Sequence, residues 1–218
     1  MNPTLLDHVA LWVDDRDALA DLLCDELDVH VIDHTERYTL VGPNAKAGKL
    51  TLFDSPSGAC PEAHRLVSVT LAETERSDRE PLVTDHGLTI TFRPTTHGTQ
   101  HALVGLTLRS SDPLAAAGEY VGRFGFDEVT AHPNVATVAC ADATVTLVRE
   151  DAVPVEQPIL NHLGLLVDSA RDHLSEARDA GMHVLDIVDA PNTHAVFIEG
   201  PEGVSVEYVE HKPAFALA

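Results

Sequence analysis

An internal repeat is the feature that most constrains how this chain folds. Residues 6–14 read LDHVALWVD and residues 160–168 read LNHLGLLVD, so a nine-residue segment recurs in the same register. Each segment is mostly apolar, as in a buried strand, and ends in an aspartate, Asp14 or Asp168, that can cap a following helix. A chain that carries the same strand at both ends is expected to consist of repeated modules.

The residues after each copy of the repeat continue the same pattern. A helix is predicted over residues 15–27 in the first copy and over residues 169–180 in the second. Three strand-like runs separated by Gly, Pro and Asn follow each helix. Both ends of the chain therefore predict a βαβββ module, over residues 1–56 and 158–211.

The middle of the chain repeats the pattern less clearly. Residues 101–150 predict a third βαβββ module, in which Val104 stands where the end modules have histidine. Residues 64–94 predict a reduced second module, in which the acidic stretch 73–79 replaces the helix. The whole is expected to be an α+β chain of repeated βαβββ modules.

Charge excludes some classes of partner. The chain has 35 acidic and 14 basic residues, for a formal net charge of -21. Such a charge repels nucleic acid and anionic membranes, so we expect neither as a partner. No apolar run approaches the roughly 20 residues that span a bilayer, and the first residues do not resemble a signal peptide. We expect a cytoplasmic protein that binds a small molecule.

The acidic residues are scattered along the chain, which indicates a folded protein with an acidic surface and favours a halophilic source. We predict that the protein loses structure when salt is lowered from molar to millimolar concentration, because repulsion between surface carboxylates is then poorly screened. Circular dichroism across that range measures the loss. An unchanged spectrum would contradict the halophilic interpretation.

Two histidines occupy the same place in the repeat. Since side chains alternate along a strand, His8 shares a face with Trp12, and His162 shares the equivalent face of its own strand. Two modules related by a pseudo-twofold axis would bring the two histidines together. A single histidine in an apolar strand is usually a packing residue, but the same register in two distant copies favours ligation of a metal.

A carboxylate in the last strand completes the candidate site. Ser205, Glu207 and Val209 share one face of that strand. Glu207 alone would equally suit an outward charge on an antiparallel strand. Together with His8 and His162 it makes two imidazoles and one carboxylate, the ligand set that leaves coordination positions open on Fe(II).

The turn before Glu207 carries a family resemblance. Gly200-Pro201-Glu202-Gly203, followed by a strand with Glu207 in its middle, resembles the final module of the vicinal oxygen chelate superfamily, which includes glyoxalases, bleomycin-resistance proteins and extradiol dioxygenases. Residues 192–207 also resemble the extradiol dioxygenase signature, with a shortened segment and with Phe197 in place of the usual tyrosine. The resemblance covers both end modules, about half of the chain.

The resemblance implies a fold and a set of site residues. It implies curved, cup-like mixed sheets with flanking helices, in which the first and fourth modules pair around a divalent metal on His8, His162 and Glu207. We expect Fe(II), with Mn(II) as the alternative, in an enzyme that cleaves or oxygenates a catecholic substrate. His194 is the candidate proton donor. The expected pocket-lining residues are Trp12, Tyr38 and Tyr208.

Two other functions stay open at this point. A glyoxalase-type isomerase or lyase usually takes a fourth protein ligand from the last strand of the other module, where Leu52 aligns with Glu207, and this argues against that chemistry. A small-molecule binding protein of the bleomycin-resistance type would use the same cup without a metal. Four modules can build a site within one chain, so both a monomer and a homodimer are compatible with the sequence.

Overall fold

The computed structural model describes residues 2–55, 66–74, 79–85, 87–96, 98–150 and 159–213. Its elements up to residue 94 are β1 (Leu5–Val13), α1 (Arg16–Glu26), β2 (His30–His34), β3 (Thr39–Gly42), β4 (Lys49–Asp54), β5 (Leu66–Glu73), β6 (Leu82–Val83) and β7 (Thr89–Pro94). The others are β8 (Leu103–Ser110), α2 (Pro113–Phe124), β9 (Asp127–His132), β10 (Val135–Cys140), β11 (Ala143–Arg149), β12 (Ile159–Leu166), α3 (Ala170–Asp179), β13 (Val184–Asp189), β14 (Thr193–Glu199) and β15 (Ser205–His211).

Side-chain caps begin all three of these helices. Asp15 and Asp112 accept a hydrogen bond from the backbone N–H three residues later, and the Ser169 hydroxyl does the same for α3. The end-module caps therefore lie one residue after the predicted Asp14 and Asp168. Helix α2 ends at Gly125, whose φ of 75° is a left-handed conformation that favours glycine.

The strands form two mixed sheets. One has the order β13-β14-β15-β12-β1-β4-β3-β2, and the other has the order β6-β7-β5-β8-β11-β10-β9. The first sheet thus joins strands from the two ends of the chain, with β1 and β12 antiparallel at its centre. The second sheet is built from strands between residues 66 and 149, with β5 and β8 antiparallel at its centre. The predicted α+β class and mixed sheets with flanking helices are confirmed.

The second quarter of the chain is the least regular. It supplies β5, β6 and β7, and no helix occurs in its described part. Of the acidic stretch 73–79, residues 75–78 lie outside the described residues.

The core lies between the sheets and their helices. Helix α1 packs on β2, β3 and β4, α2 on β9, β10 and β11, and α3 on β13, β14 and β15. The faces that meet the helices carry buried apolar side chains such as Leu11, Leu52 and Leu163, while the opposite face of the first sheet is left for a site. In the described parts of the chain, no helix combines the length and the apolar character needed to cross a bilayer.

Candidate metal centre

Three donor atoms converge on the concave face of the first sheet. His8 Nε2 lies 2.9 Å from Glu207 Oε2 and 3.0 Å from His162 Nε2, and His162 Nε2 lies 3.0 Å from the same Glu207 oxygen. All three side chains are buried. These three are the group of potential ligands that the described residues bring together.

The register of the central strands explains why the histidines meet. Strand β1 pairs with β12 so that His8 lies opposite Gly164 and Ala10 opposite His162, a pseudo-twofold arrangement. Strand β15 runs parallel to β12 with Glu207 beside Gly164, on the same face. Because Gly164 has no side chain, the His8 ring can lie directly over it.

A β-bulge precedes each histidine. The β1–β12 ladder skips Asp7 on one strand and Asn161 on the other. A bulge re-aims the residues beside it, so Asp7 reaches the His8 ring and Asn161 reaches the His162 ring. Asp7 Oδ2 lies 2.9 Å from His8 Nδ1, and Asn161 Oδ1 lies 2.9 Å from His162 Nδ1.

These hydrogen bonds test whether the site fits a cation. The carboxylate of Asp7 and the amide oxygen of Asn161 can only accept, so Nδ1 of each histidine carries the hydrogen. In a neutral imidazole the lone pair is then on Nε2, and both lone pairs point at the Glu207 oxygen. Three such donors about 3 Å apart match neighbouring ligands on an ion at about 2.1 Å from each. The residues therefore fit a divalent metal.

The pKa shifts of the three groups also indicate a site that favours a positive charge. Burial alone would lower the pKa of His8, but the charge of Glu207 and hydrogen bonds to Asp7 and Glu207 raise it to about 9. Burial would likewise raise the pKa of Glu207, yet the charge of His8 and the contacts of both histidines with the carboxylate lower it to about 2. For His162, burial outweighs Glu207 and lowers the pKa.

A cavity opens above the three donors. Its volume is about 450 Å³, within the usual range for small-ligand sites. Phe53 and Phe197 form aromatic walls on the two sides of His162, with ring centroids 6.3 Å and 5.1 Å from the imidazole. Tyr38 lines the cavity, and its hydroxyl donates a 2.9 Å hydrogen bond to Asp33. Burial and Asp33 together raise the pKa of Tyr38 to about 12.

Three of the other expected site residues, Tyr208, His194 and Trp12, do not line the cavity. Tyr208 is fully buried on the opposite face of β15, where it stacks on Phe124, because alternation places it away from Glu207. His194 lies in the groove between α3 and the outer face of β14, next to Asp189. Neither residue faces the cavity, so Tyr208 is not a pocket residue and His194 is not its proton donor. Trp12 packs on Phe53, behind the cavity wall.

The structure also corrects two sequence alignments. In the first module the residue at the register of Glu207 is Thr51, because β4 follows β1 as β15 follows β12, and Leu52 points into the core. In the second sheet the bulged residues are Val67 and Val104. The residue equivalent to His8 is therefore Gly105.

Several cavity residues escaped the sequence analysis. Lys49, Thr51, Phe53 and His211 line the cavity together with Asp7. The sequence contains an indication of two of these residues, His211 and Asp7. His211 shares the strand face of Glu207 and Val209, and Asp7 has its counterpart Asn161 in the repeat.

Comparisons with known proteins address the fold. No protein-family model matches the sequence, and no curated protein matches it. Among solved structures, a candidate dioxygenase from Bacillus subtilis is 12% identical, with a TM-score of 0.78 over 99% of this chain and 87% of its own. Glyoxalase I from Zea mays is 14% identical, with a TM-score of 0.64 over 94% of this chain and 92% of its own. These likenesses show that the chain shares its fold with the two proteins, which is the fold that the sequence resemblance implies.

Proposed function

We propose that this chain is a metal-dependent enzyme that oxygenates a catecholic or similar vicinal-diol substrate, in the manner of an extradiol dioxygenase. The observation that carries the proposal is the convergence of His8, His162 and Glu207 at the base of an aromatic-walled cavity. Bound there, Fe(II), or Mn(II) as the alternative, would offer open coordination positions to two adjacent substrate oxygens and to dioxygen.

The chain's own residues suit a flat aromatic substrate. Phe53 and Phe197 each contact His162 edge-on and line the cavity, where they can stack on or edge against an aromatic ring. Both lie next to the three donors, so a substrate ring held by them presents its oxygens to the metal. A substrate bound against these walls would displace water from the donors, which would strengthen electrostatic interactions there.

Among the residues that the structure describes, no fourth ligand joins the three donors, and this distinguishes the proposal from an isomerase. A glyoxalase-type site would take another strong donor from the strand position opposite Glu207, and Thr51 stands there. A threonine hydroxyl is a weak ligand compared with a carboxylate, an imidazole or a thiolate. The three donors come from a single chain, so the site needs no second copy to be complete.

The first test is metal content and oxygen uptake. Protein purified anaerobically in high salt, without a nickel column, should contain near-stoichiometric iron or manganese. With catechols it should consume oxygen in equimolar amount with substrate. Turnover of a thiohemiacetal without oxygen consumption would replace the proposal by isomerase chemistry. A site that stays empty after incubation with Fe(II) and Mn(II) would leave a binding protein of the bleomycin-resistance type.

A further inference from the structure

A buried carboxylate next to His8, that of Asp7, contacts His8, Lys49 and His211. The Asp7 side chain is 3% exposed. Its Oδ2 accepts from His8 Nδ1, while its Oδ1 accepts from Lys49 Nζ at 2.8 Å and lies 3.4 Å from His211 Nε2. The ammonium group of Lys49 compensates the negative charge of this buried carboxylate. Asp7 is therefore an anion in the interior.

Lys49 holds Asp7 in that state. Its side chain is 2% exposed, and Nζ also donates to the carbonyl oxygens of Ala45 and Ala47, at 3.0 Å and 3.4 Å. A buried ion pair of this kind is a weak source of stability, because desolvation of both charges offsets their attraction. Its place next to His8 points to a role in the site.

The other histidine has a different partner. Asn161 occupies the same bulge in β12 that Asp7 occupies in β1, and its hydrogen bond to the imidazole has the same 2.9 Å length. The two rings are thus oriented in the same way. Only the charge of the partner differs: an anion stands behind His8 and a neutral amide stands behind His162.

We infer that Asp7, held by Lys49, is a positioning residue that makes His8 the stronger of the two imidazole ligands, so that the β1 half of the site sets its metal affinity. The inference rests on the proposed metal centre. A carboxylate that accepts from the far nitrogen of an imidazole raises the basicity of the ligating nitrogen, and such outer partners typically change metal affinity about 10- to 100-fold. Burial keeps water from screening the effect here.

A double variant, Asp7→Asn with Lys49→Met, isolates this effect. Asparagine keeps the hydrogen bond to His8, as Asn161 does for His162, and removing both charges leaves the net charge of the pair at zero. Orientation of the ring alone would leave the affinity unchanged. We expect Mn²⁺, titrated alone in high salt and followed by electron paramagnetic resonance of the free ion, to bind about 10- to 100-fold more weakly.

Two further variants keep the test decisive. Asn161→Asp puts an anion behind the second histidine, and Mn²⁺ should then bind more tightly, even if the double variant fails to fold. Asp17→Asn removes the aspartate that contacts His34 at the surface, and should change nothing. Equal Mn²⁺ affinity in the wild type, the double variant and Asn161→Asp would overturn the inference alone. A wild-type protein that binds no Mn²⁺ would overturn the proposed function and this inference with it.

Discussion

A His162→Ala variant should lose metal binding at the candidate centre by more than about 100-fold, since the loss of an outer partner alone typically costs 10- to 100-fold. His162 supplies one of three donor atoms that lie 2.9 to 3.0 Å apart, and no other described imidazole, thiol or carboxylate joins that group. No neighbouring side chain can supply a donor in place of the lost imidazole, because Phe53 and Phe197 flank the position. Elemental analysis and Mn²⁺ titration measure the loss.

The matched control is His194→Ala, on β14. His194 lies on the outer face of the sheet, so its removal should leave metal stoichiometry unchanged. Both titrations belong in high salt, because a chain with a net charge of -21 attracts divalent cations to its surface. Stoichiometric metal retained by His162→Ala would remove the triad, and with it the oxygenase proposal.

A Gly164→Ala variant should weaken metal binding at the same centre, although Gly164 is not itself a ligand. A methyl group at this position would lie less than 3.0 Å from Cε1, Nδ1 and Nε2 of His8. The His8 ring is tied to Asp7 and cannot move aside without breaking that bond. We expect a loss of Mn²⁺ affinity that exceeds the 10- to 100-fold typical of losing an outer partner, in a protein whose circular dichroism stays close to that of the wild type.

Gly118→Ala is the control for this substitution. Gly118 lies in helix α2, and an added methyl group there meets no atom within 4 Å. Alanine should stabilise the helix by about 1 kcal/mol and leave metal binding alone. If Gly164→Ala bound Mn²⁺ as tightly as Gly118→Ala, the close approach of the His8 ring to β12 would be wrong.

The repeat made the fold predictable from the sequence. Two copies of one strand, each with His at the third position, are enough to predict related modules and to single out His8 and His162. Glu207 followed from strand alternation and from the turn before it. In the structure all three lie together, and the fold is the one the resemblance implied.

The sequence predictions were wrong in two situations. In one, a β-bulge interrupts the alternation of side chains along a strand; in the other, both faces of a strand carry side chains with suitable chemistry. A bulge adds one residue to a strand, and no sequence pattern indicates it. The alignment therefore pairs Val104 with His8, although Gly105 is the equivalent residue. For the same reason the sequence does not predict that Asp7 lies next to the site. The predictions for Tyr208 and His194 depended on side-chain chemistry alone. Tyr208 lies on the strand face opposite Glu207, and His194 on the face opposite Phe197. Side-chain chemistry cannot override the face that the strand assigns.

The first sheet joins strands from the two ends of the chain, and the second sheet is built from the strands between them. This order has a consequence for biosynthesis. His8 and its partner His162 are separated by 154 residues, whereas the second sheet is complete by residue 149. At about 5 to 20 residues per second, a ribosome needs roughly 10 to 30 s to deliver β12 after β1 has been made. During that interval the inner sheet can fold while β1 waits without its central neighbour. The three donors can therefore meet only after Glu207 has been made, so the metal would bind only once the two halves of the first sheet have joined.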